Sequence, residues 1–213
     1  GPKTAGRTIK AVQTGGPSGG CLPASQFDLP VDFDALTEAG SMMGSGGMVV
    51  LDDTSCMIDV AKYFLTFLEE ESCGKCSTCR IGTSRMLEIV KAIADGQASE
   101  EDLDLLRDLA WTVQNGSLCA LGKTAPNPVL STLQYFRDEY DAHIRDRRCP
   151  AGVCRSLLHF RIDPDLCTQC GACVDACPHD AIREDDEFEI DDETCVRCGL
   201  CLDACPVDAI EKS

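Results

Sequence analysis

The chain has 213 residues, a length that fits one large domain or two to three small ones. Hydrophobic residues make up 44% of it, which excludes disorder over the whole chain. The formal net charge of −17 argues against binding to nucleic acid or to anionic lipid, since both partners need a basic face. No run of 18 apolar residues is present, and we therefore expect no membrane span.

The first two residues, Gly1-Pro2, stand where an initiator Met is expected. We interpret this pair as the remnant of a cleaved purification tag. We therefore expect the chain to be a segment of a longer protein.

The chain carries 16 cysteines, and many of them stand in triplets spaced two residues apart. Such triplets suit one compact inorganic centre, whereas a disulfide framework usually joins distant segments. We therefore expect metal or cluster ligation in a reducing, cytoplasmic compartment.

Residues 1–50 have the pattern of a small β-rich region. Thr8–Gln13 alternates apolar and polar residues, which predicts a strand, and Met48–Leu51 is a second, short apolar strand. Glycines and Pro17 between the two strands predict a loop. Because strands rather than helices follow these glycines, we do not expect a phosphate-binding loop.

Residues 51–146 have the apolar periodicity of four helices. The expected starts are a cap at Asp53, Thr54 or Ser55, then Gly82, then a capping-box-like start at Ser99, and finally the residues after Pro126 and Pro128. The expected apolar faces are Met57, Val60, Ala61, Phe64 and Phe67; Met86, Ile89, Val90 and Ile93; Leu103, Leu106, Leu109, Ala110 and Val113; and Val129, Leu130, Leu133 and Phe136.

A cysteine triplet lies between the first and second predicted helices, within Glu71–Gly82. Its C-x2-C-x2-C spacing suits one side of a [4Fe–4S] cluster, but no fourth cysteine follows at once. The next cysteine follows the third predicted helix, and a helical hairpin would bring it back to the triplet. We predict one cluster at Cys73, Cys76, Cys79 and Cys119.

A second kind of site is predicted around Cys149 and Cys154, which form a tight C-x4-C loop six residues after His143. Three thiolates and one imidazole are a common tetrahedral zinc set, and antiparallel helices could bring Cys56 to this loop. We predict Zn at Cys56, His143, Cys149 and Cys154. The open alternatives are Cys21 as the fourth ligand, or a buried apolar Cys56 with the two loop cysteines free or loosely paired.

The last third contains two copies of one sequence, Ile162–Ile182 and Ile190–Ile210, which lie 28 residues apart. Each copy reads C-x2-C-x2-C-x3-C-P, a ferredoxin ligation motif in which the fourth cysteine serves the other cluster. Zinc is the rival interpretation, but two full copies that end in C-P favour clusters. The predicted [4Fe–4S] ligands are Cys167, Cys170, Cys173 and Cys205 for one centre, and Cys195, Cys198, Cys201 and Cys177 for the other.

Each copy also predicts local structure around its cysteines. A short helical turn is expected before the fourth cysteine. Gly171 and Gly199 are expected to let the backbone pass close to the sulfurs. We expect His159 and His179 to be ordinary polar residues.

Residues 160–213 contain 15 acidic and four basic residues, a net charge of −11. This charge forms either a solvated acidic face or a docking surface for a basic redox partner. In both cases it lowers the reduction potential of nearby clusters.

The glycine-rich residues 11–20 and 44–47, the E-S-C-G-K-C run from Glu71, and Cys119 together resemble the NADH-binding, flavin-bearing subunit of respiratory complex I. The chain is more similar still to the equivalent subunit of soluble, NAD(P)-linked, electron-bifurcating [FeFe]-hydrogenases, which carry an appended ferredoxin tail. The resemblance implies an α+β chain in four parts. These are the end of a soluble-ligand-binding-like β-grasp domain (1–50), a four-helix [4Fe–4S] domain (51–146), a linker with the possible zinc site (147–158) and a 2[4Fe–4S] ferredoxin-like domain (159–213).

The same resemblance implies an electron-relay fragment of an NAD(P)H- and flavin-dependent oxidoreductase, with three [4Fe–4S] clusters that pass single electrons. The implied partners are hydrogenase-like and small [2Fe–2S] subunits and ferredoxin. FMN and NAD(P) are expected only in the full-length subunit, because the glycine-rich segments that bind them are missing here. No acid–base or nucleophile constellation is present, so we do not expect the fragment alone to be catalytic. The alternative is a structural zinc protein without a redox role.

Overall fold

The computed structural model describes residues 6–184 and 187–212. Gly1-Pro2, interpreted above as a tag remnant, lies outside the described residues. The chain divides into two compact units, Gly1–Cys154 and Arg155–Ser213. Helices and strands occur in both units, so the predicted mixed class is confirmed.

The first unit opens with a three-stranded antiparallel sheet in the order β2–β1–β3. Its strands are β1 (Ile9–Thr14), β2 (Cys21–Pro23) and β3 (Met48–Asp52). Val12 of the central strand lies opposite Leu22 on one side and Val50 on the other. Strands β1 and β3 confirm the two predicted strands, whereas β2 was not predicted because three residues are too few to show an alternation.

The other elements described in this unit are mainly helices. They are α1 (Phe33–Glu38), α2 (Met57–Glu70), α3 (Ser77–Ala94), α4 (Glu100–Gly116), α5 (Ala120–Thr124), α6 (Asn127–Tyr135) and α7 (Arg137–Ile144). Helix α3 packs against α2 and α4, and α2 also packs against α6. Met86, Val90 and Leu106 are fully buried in this bundle.

The start of α2 differs from the prediction. Cys56 occupies the N-cap position without a side-chain capping bond, instead of Asp53, Thr54 or Ser55. The backbone N–H and the hydroxyl of Thr54 both donate to the Asp52 carboxylate, which holds Thr54 in the preceding turn. The helix therefore begins later than the polar residues suggest.

The buried face of α2 is broader than predicted. Met57, Ala61 and Phe64 are buried as expected, but Phe67 is 44% exposed. The additional buried residues are Ile58, Leu65 and Leu68. Because α2 packs against both α3 and α6, its apolar surface serves two neighbours rather than one.

The remaining predicted helices are present with changed boundaries. Helix α3 begins at Ser77 rather than Gly82. At the start of α4, the Asp102 carboxylate accepts the Ser99 N–H at 2.7 Å, which confirms the capping box. The predicted fourth helix is two helices, α6 and α7, because Phe136 (φ −131°, ψ 40°) leaves the helical region and buries its ring.

The second unit consists of two interleaved copies of the sequence repeat. Its elements are β4 (Phe160–Ile162), α8 (Ala172–Asp175), β5 (Ile182–Glu184), β6 (Phe188–Ile190), α9 (Leu200–Ala204) and β7 (Ile210–Lys212). Strand β4 pairs with β7, and β5 pairs with β6, both antiparallel. Each pair therefore takes one strand from each copy. The short helices α8 and α9 confirm the predicted turns before the fourth cysteines.

Within the described part of the chain, no helix is both long enough and apolar enough to cross a membrane.

The close contact between α3 and α4 gives a test of this packing. A Cβ atom added at Gly82 would lie 2.2 Å from Cγ2 of Val113. We expect Gly82→Ala to lower the free energy of unfolding by about 1–3 kcal/mol, because a stiff β-branched side chain must move. Urea denaturation measures this loss. The double variant Gly82→Ala/Val113→Ala should lose less stability than the sum of the losses in the two single variants. Gly47→Ala is the control, since nothing lies within 4 Å of its added Cβ.

Candidate metal centres

The two copies of the repeat form two cavities lined by cysteines. One cavity is lined by Cys167, Cys170, Cys173 and Cys205, and the other by Cys177, Cys195, Cys198 and Cys201. Each cavity thus takes three cysteines from one copy and the fourth from the other copy. This is the grouping that the repeat predicts, and cluster ligation by these residues stays a prediction.

The backbone conformation at the cysteines repeats together with the sequence. Gly171 and Gly199 have φ values of 75° and 83°, in the left-handed region that side chains disfavour. Gln169 and Arg197, two residues earlier, also have positive φ values of 53° and 58°. Turns of this kind gather backbone N–H groups into concavities that bind anionic centres, including Fe–S sites.

The fourth cysteine of each copy is held by a backbone hydrogen bond. The Ala181 N–H donates to Cys177 Sγ at 3.4 Å, and the Ala209 N–H donates to Cys205 Sγ at 3.2 Å. The carbonyls of the same two alanines accept N–H groups from the other copy, each at 2.8 Å. Both copies therefore fix the position of each fourth cysteine.

The third cysteine of each triplet is buried. Burial raises the pKa of the Cys173 and Cys201 thiols, because the charged thiolate loses hydration. The thiolate is the form that ligates metal. The positive charge of bound metal ions in each cavity would stabilise the thiolate form that burial disfavours.

The two histidines of the second unit have different surroundings. His159 Nδ1 lies 3.3 Å from the Asp192 carboxylate at an exposed position, as expected of an ordinary polar residue. His179 lies among the residues that line the cavity of Cys195.

In the first unit, the predicted triplet leads directly into α3. Cys76 is its N-cap residue, and Cys79 lies buried in its first turn. The Ser72 hydroxyl lies 3.4 Å from Cys79 Sγ. The Arg80 guanidinium donates to the Gly74 carbonyl, which orders the loop that carries the triplet.

The segments on both sides of Cys119 pack against the start of α3. The Thr78 hydroxyl donates to the Gly116 carbonyl at 2.8 Å, which joins the start of α3 to the end of α4. A Cβ atom added at Gly122 would lie 3.4 Å from Cys79 Cβ, so α5 lies against Cys79. The Gly122 N–H lowers the pKa of Cys119, which favours the thiolate.

Four further ligand atoms lie together at the end of α7. The ligand atoms of Cys56, His143, Cys149 and Cys154 are all within 4.8 Å of one another, and all four residues are buried. His143 Nε2 lies 3.5 Å from Cys56 Sγ and 3.4 Å from Cys154 Sγ, and the two sulfurs are 3.6 Å apart. Tetrahedral Zn²⁺ with ordinary bond lengths requires about 3.6 Å between N and S and about 3.8 Å between sulfurs. The separations therefore fit this ion.

The His143 ring is oriented for ligation. Its Nδ1 donates to the Glu139 carbonyl at 2.8 Å, one turn earlier in α7, which directs Nε2 toward the three sulfurs. Metal-ligating histidines commonly have such a second hydrogen bond. The bond to the Cys149 sulfur, and then that to Cys56, raises the pKa of the Cys154 thiol. A cation bound among the three sulfurs would favour their thiolate forms.

A partly buried ion pair joins this site to the sheet. The Lys10 ammonium lies 2.6 Å from Glu139 Oε1, and it donates to the Ser55 carbonyl at 2.6 Å. Glu139 Oε2 accepts the Met57 N–H at 3.0 Å, at the start of α2. Neither Lys10 nor Glu139 was predicted from the sequence, although Glu139 stands four residues before His143 on the same helix.

Cys21 lies in an apolar cluster with Ala11, Met57 and Phe136. Burial raises the pKa of its thiol to about 12. Among the described residues, Cys21 does not belong to the four-residue metal group, where Cys56 takes the fourth position.

Comparison with known proteins identifies two matching domain families. The NADH-ubiquinone oxidoreductase-F iron-sulfur binding region matches residues 59–143, and a 4Fe-4S dicluster domain matches residues 160–212. The chain carries both of these iron–sulfur domains. The resemblance stated from the sequence is thereby confirmed, and 4Fe-4S binding domains account for most of the cysteines.

The chain is also similar to individual proteins. The NADP-reducing hydrogenase subunit HndC of Solidesulfovibrio fructosivorans is 50% identical over 177 residues, which are 83% of this chain and 36% of that protein. The "F 2" subunit of the NADH-quinone oxidoreductase of Rhizobium meliloti (strain 1021) is 41% identical over 145 residues, 68% of this chain and 34% of that protein. The chain therefore spans about a third of the length of these relatives.

A solved structure is similar to part of this chain as well. The NAD+-reducing [NiFe]-hydrogenase in the H2-reduced state matches with a TM-score of 0.59 and 32% sequence identity. The match covers 65% of this chain and 24% of that chain.

The partly buried Lys10–Glu139 pair gives a second prediction. We expect Glu139→Gln to lower the free energy of unfolding by about 1–3 kcal/mol, because the Lys10 charge then lacks its carboxylate partner. The matched control is Glu100→Gln, which removes the exposed pair with Arg145 and should cost less than about 1 kcal/mol. Urea denaturation of both variants measures the difference. Equal effects would contradict the anchoring role of Glu139.

Proposed function

We propose that the chain relays single electrons through three [4Fe–4S] clusters, between a flavin site elsewhere in an NAD(P)H-dependent oxidoreductase and a low-potential partner such as ferredoxin. The observation that carries this proposal is the pair of cysteine cavities, each of which combines cysteines from both copies of the repeat. The proposed ligand sets are Cys73, Cys76, Cys79 and Cys119; Cys167, Cys170, Cys173 and Cys205; and Cys177, Cys195, Cys198 and Cys201.

The residues of the chain position and tune these centres, while the clusters when bound supply reversible one-electron storage. The Ala181 and Ala209 N–H groups donate to ligand sulfurs and stabilise negative charge there. The 15 acidic residues of 160–213 act in the opposite direction and favour low potentials. They also give a surface that would speed encounter with a basic redox partner.

The finer architecture supports the same proposal. The sheet β2–β1–β3 is proposed to be the end of a β-grasp domain, and α2 to α7 the helical cluster domain. The interleaved second unit is proposed to be a bacterial-type 2[4Fe–4S] ferredoxin domain. FMN, NAD(P) and contacts with hydrogenase-like and [2Fe–2S] subunits would then belong to the longer protein. A zinc protein without a redox role lacks support, because both matching domain families bind 4Fe-4S clusters.

Iron analysis and EPR test the relay directly. We expect the anaerobically reconstituted chain to hold about twelve iron atoms, in three four-iron clusters. Cys205→Ser should remove the cluster of the first copy and leave about eight, since each fourth cysteine serves the other triplet. Cys21→Ser is the control and should keep the full iron content. A colourless chain that holds zinc and no iron would refute the proposal.

We also propose that the four residues Cys56, His143, Cys149 and Cys154 hold one structural Zn²⁺. The closed set of four protein ligands leaves no open position, which is typical of structural rather than catalytic zinc. Bound there, the ion would pin residues 149–154, in the predicted linker, to the start of α2 and the end of α7.

Zinc analysis tests this site separately from the clusters. We expect about one zinc per chain, lost in Cys154→Ser and retained in Cys21→Ser. Removal by a chelator should lower the melting temperature, because binding free energy at such a site contributes to folding. A chain that contains its iron but no zinc would refute the zinc site and leave the relay intact.

A further inference from the structure

Ser117 carries the one buried side-chain polar atom that has no hydrogen-bond partner within the described ranges 6–184 and 187–212. The residue is only 3% exposed. A buried hydroxyl without a partner costs about 1–3 kcal/mol. Native proteins contain few such groups, and each one requires a physical reason.

The Ser117 hydroxyl lies beside the proposed cluster whose ligands include Cys79 and Cys119. Ser117 stands two residues before Cys119. A Cβ atom added at Gly122 would lie 2.5 Å from Ser117 Oγ and 3.4 Å from Cys79 Cβ. Ser117 Oγ and the Cys79 side chain therefore both border the position that Gly122 leaves without a side chain.

A second serine hydroxyl, that of Ser72, contacts Cys79, which is a proposed ligand of the same cluster. The Ser72 hydroxyl lies 3.4 Å from Cys79 Sγ, so its hydrogen bond is made within the protein alone. Ser117 has no such protein acceptor among the described residues. Ser117 Oγ can therefore donate to a group bound beside Cys79.

We propose that the Ser117 hydroxyl donates a hydrogen bond to a sulfur of the cluster at Cys73, Cys76, Cys79 and Cys119, and that this bond raises the reduction potential of that cluster. The inference rests on the proposed function, since it needs that cluster. Reduction adds negative charge to the sulfurs, and a hydrogen bond to a charged acceptor is stronger than one to a neutral acceptor. Hydrogen bonds to the sulfurs are among the factors that set cluster potentials. Ser117 is thus a positioning and tuning residue rather than a ligand.

The test is an EPR-monitored redox titration of the reconstituted chain and of its Ser117→Ala variant. The measured quantity is the ratio of reduced to oxidised cluster at Cys73, Cys76, Cys79 and Cys119. At a fixed potential near the midpoint, we expect Ser117→Ala to lower this ratio by about three- to tenfold. For a one-electron couple, a tenfold change corresponds to about 59 mV. In D2O, pulsed EPR of the reduced cluster should also lose the coupling to one exchangeable deuteron.

Two further variants separate hydrogen bonding from packing. Ser117→Thr keeps the hydroxyl and should keep the potential of the unchanged chain. Ser131→Ala removes another buried hydroxyl of the same unit, which accepts the Cys21 N–H at 2.9 Å, and should leave the potential unchanged. An unchanged potential in Ser117→Ala, or equal shifts in the Ala and Thr variants, would overturn the inference. Absence of any cluster at the four cysteines of the unchanged chain would overturn the proposed function as well.

Discussion

One electrostatic constraint governs the sites of this chain: cysteine thiolates that the fold holds close together repel each other and need a cation between them. In the group around His143, two cysteine sulfurs lie 3.6 Å apart in a buried place, where thiolates without a counterion would be strongly unfavourable. Each cavity of the second unit is also lined by four cysteines, of which Cys173 and Cys201 are buried. The proposed metal centres would remove this repulsion, because a cation between the thiolates attracts each of them. In the second unit, half of the partly buried residues that pack against the apolar core are cysteines of the proposed ligand sets.

Interleaving of the two repeats makes the second unit cooperative. Strands β4 and β5 belong to the first copy but pair with β7 and β6 of the second copy. The backbone groups of Ala181 and Ala209 contact a fourth cysteine through their N–H and the other copy through their carbonyl. Neither copy could form its cavity alone. A unit of this size has a thin apolar core, so folding and metal binding are expected to be linked.

In the first unit, helix packing brings together residues that are far apart in sequence. Cys56 at the start of α2 meets His143 at the end of α7, because Glu139 links the start of α2 to α7 and Lys10 links Glu139 to the sheet. The contact between Thr78 and Gly116 likewise joins the start of α3, which carries Cys79, to the end of α4, which precedes Cys119. Both sites of this unit therefore depend on helix ends, where backbone groups are free to bond outside the helix.

Spacing along the chain predicted the centres whose proposed ligands include closely spaced cysteines. Triplet spacing and the 28-residue repeat were sufficient to group the cysteines of the second unit, because each triplet comes from one short segment and the repeated motif assigns its fourth cysteine to the other centre. The main helices and the strands β1 and β3 also followed from apolar periodicity. The kink at Phe136 and the late start of α2 did not, since packing and a local carboxylate bond decided them.

Only the packing of the elements determined which residues that are far apart in the sequence come into contact. It selected Cys56 rather than Cys21 for the group around His143, and it revealed the Lys10–Glu139 pair. It also placed the unpartnered Ser117 hydroxyl beside Cys79 and Gly122, about which sequence spacing carries no information. Contacts between separate helices depend on how their faces pack, and a one-dimensional pattern encodes each face but not its partner.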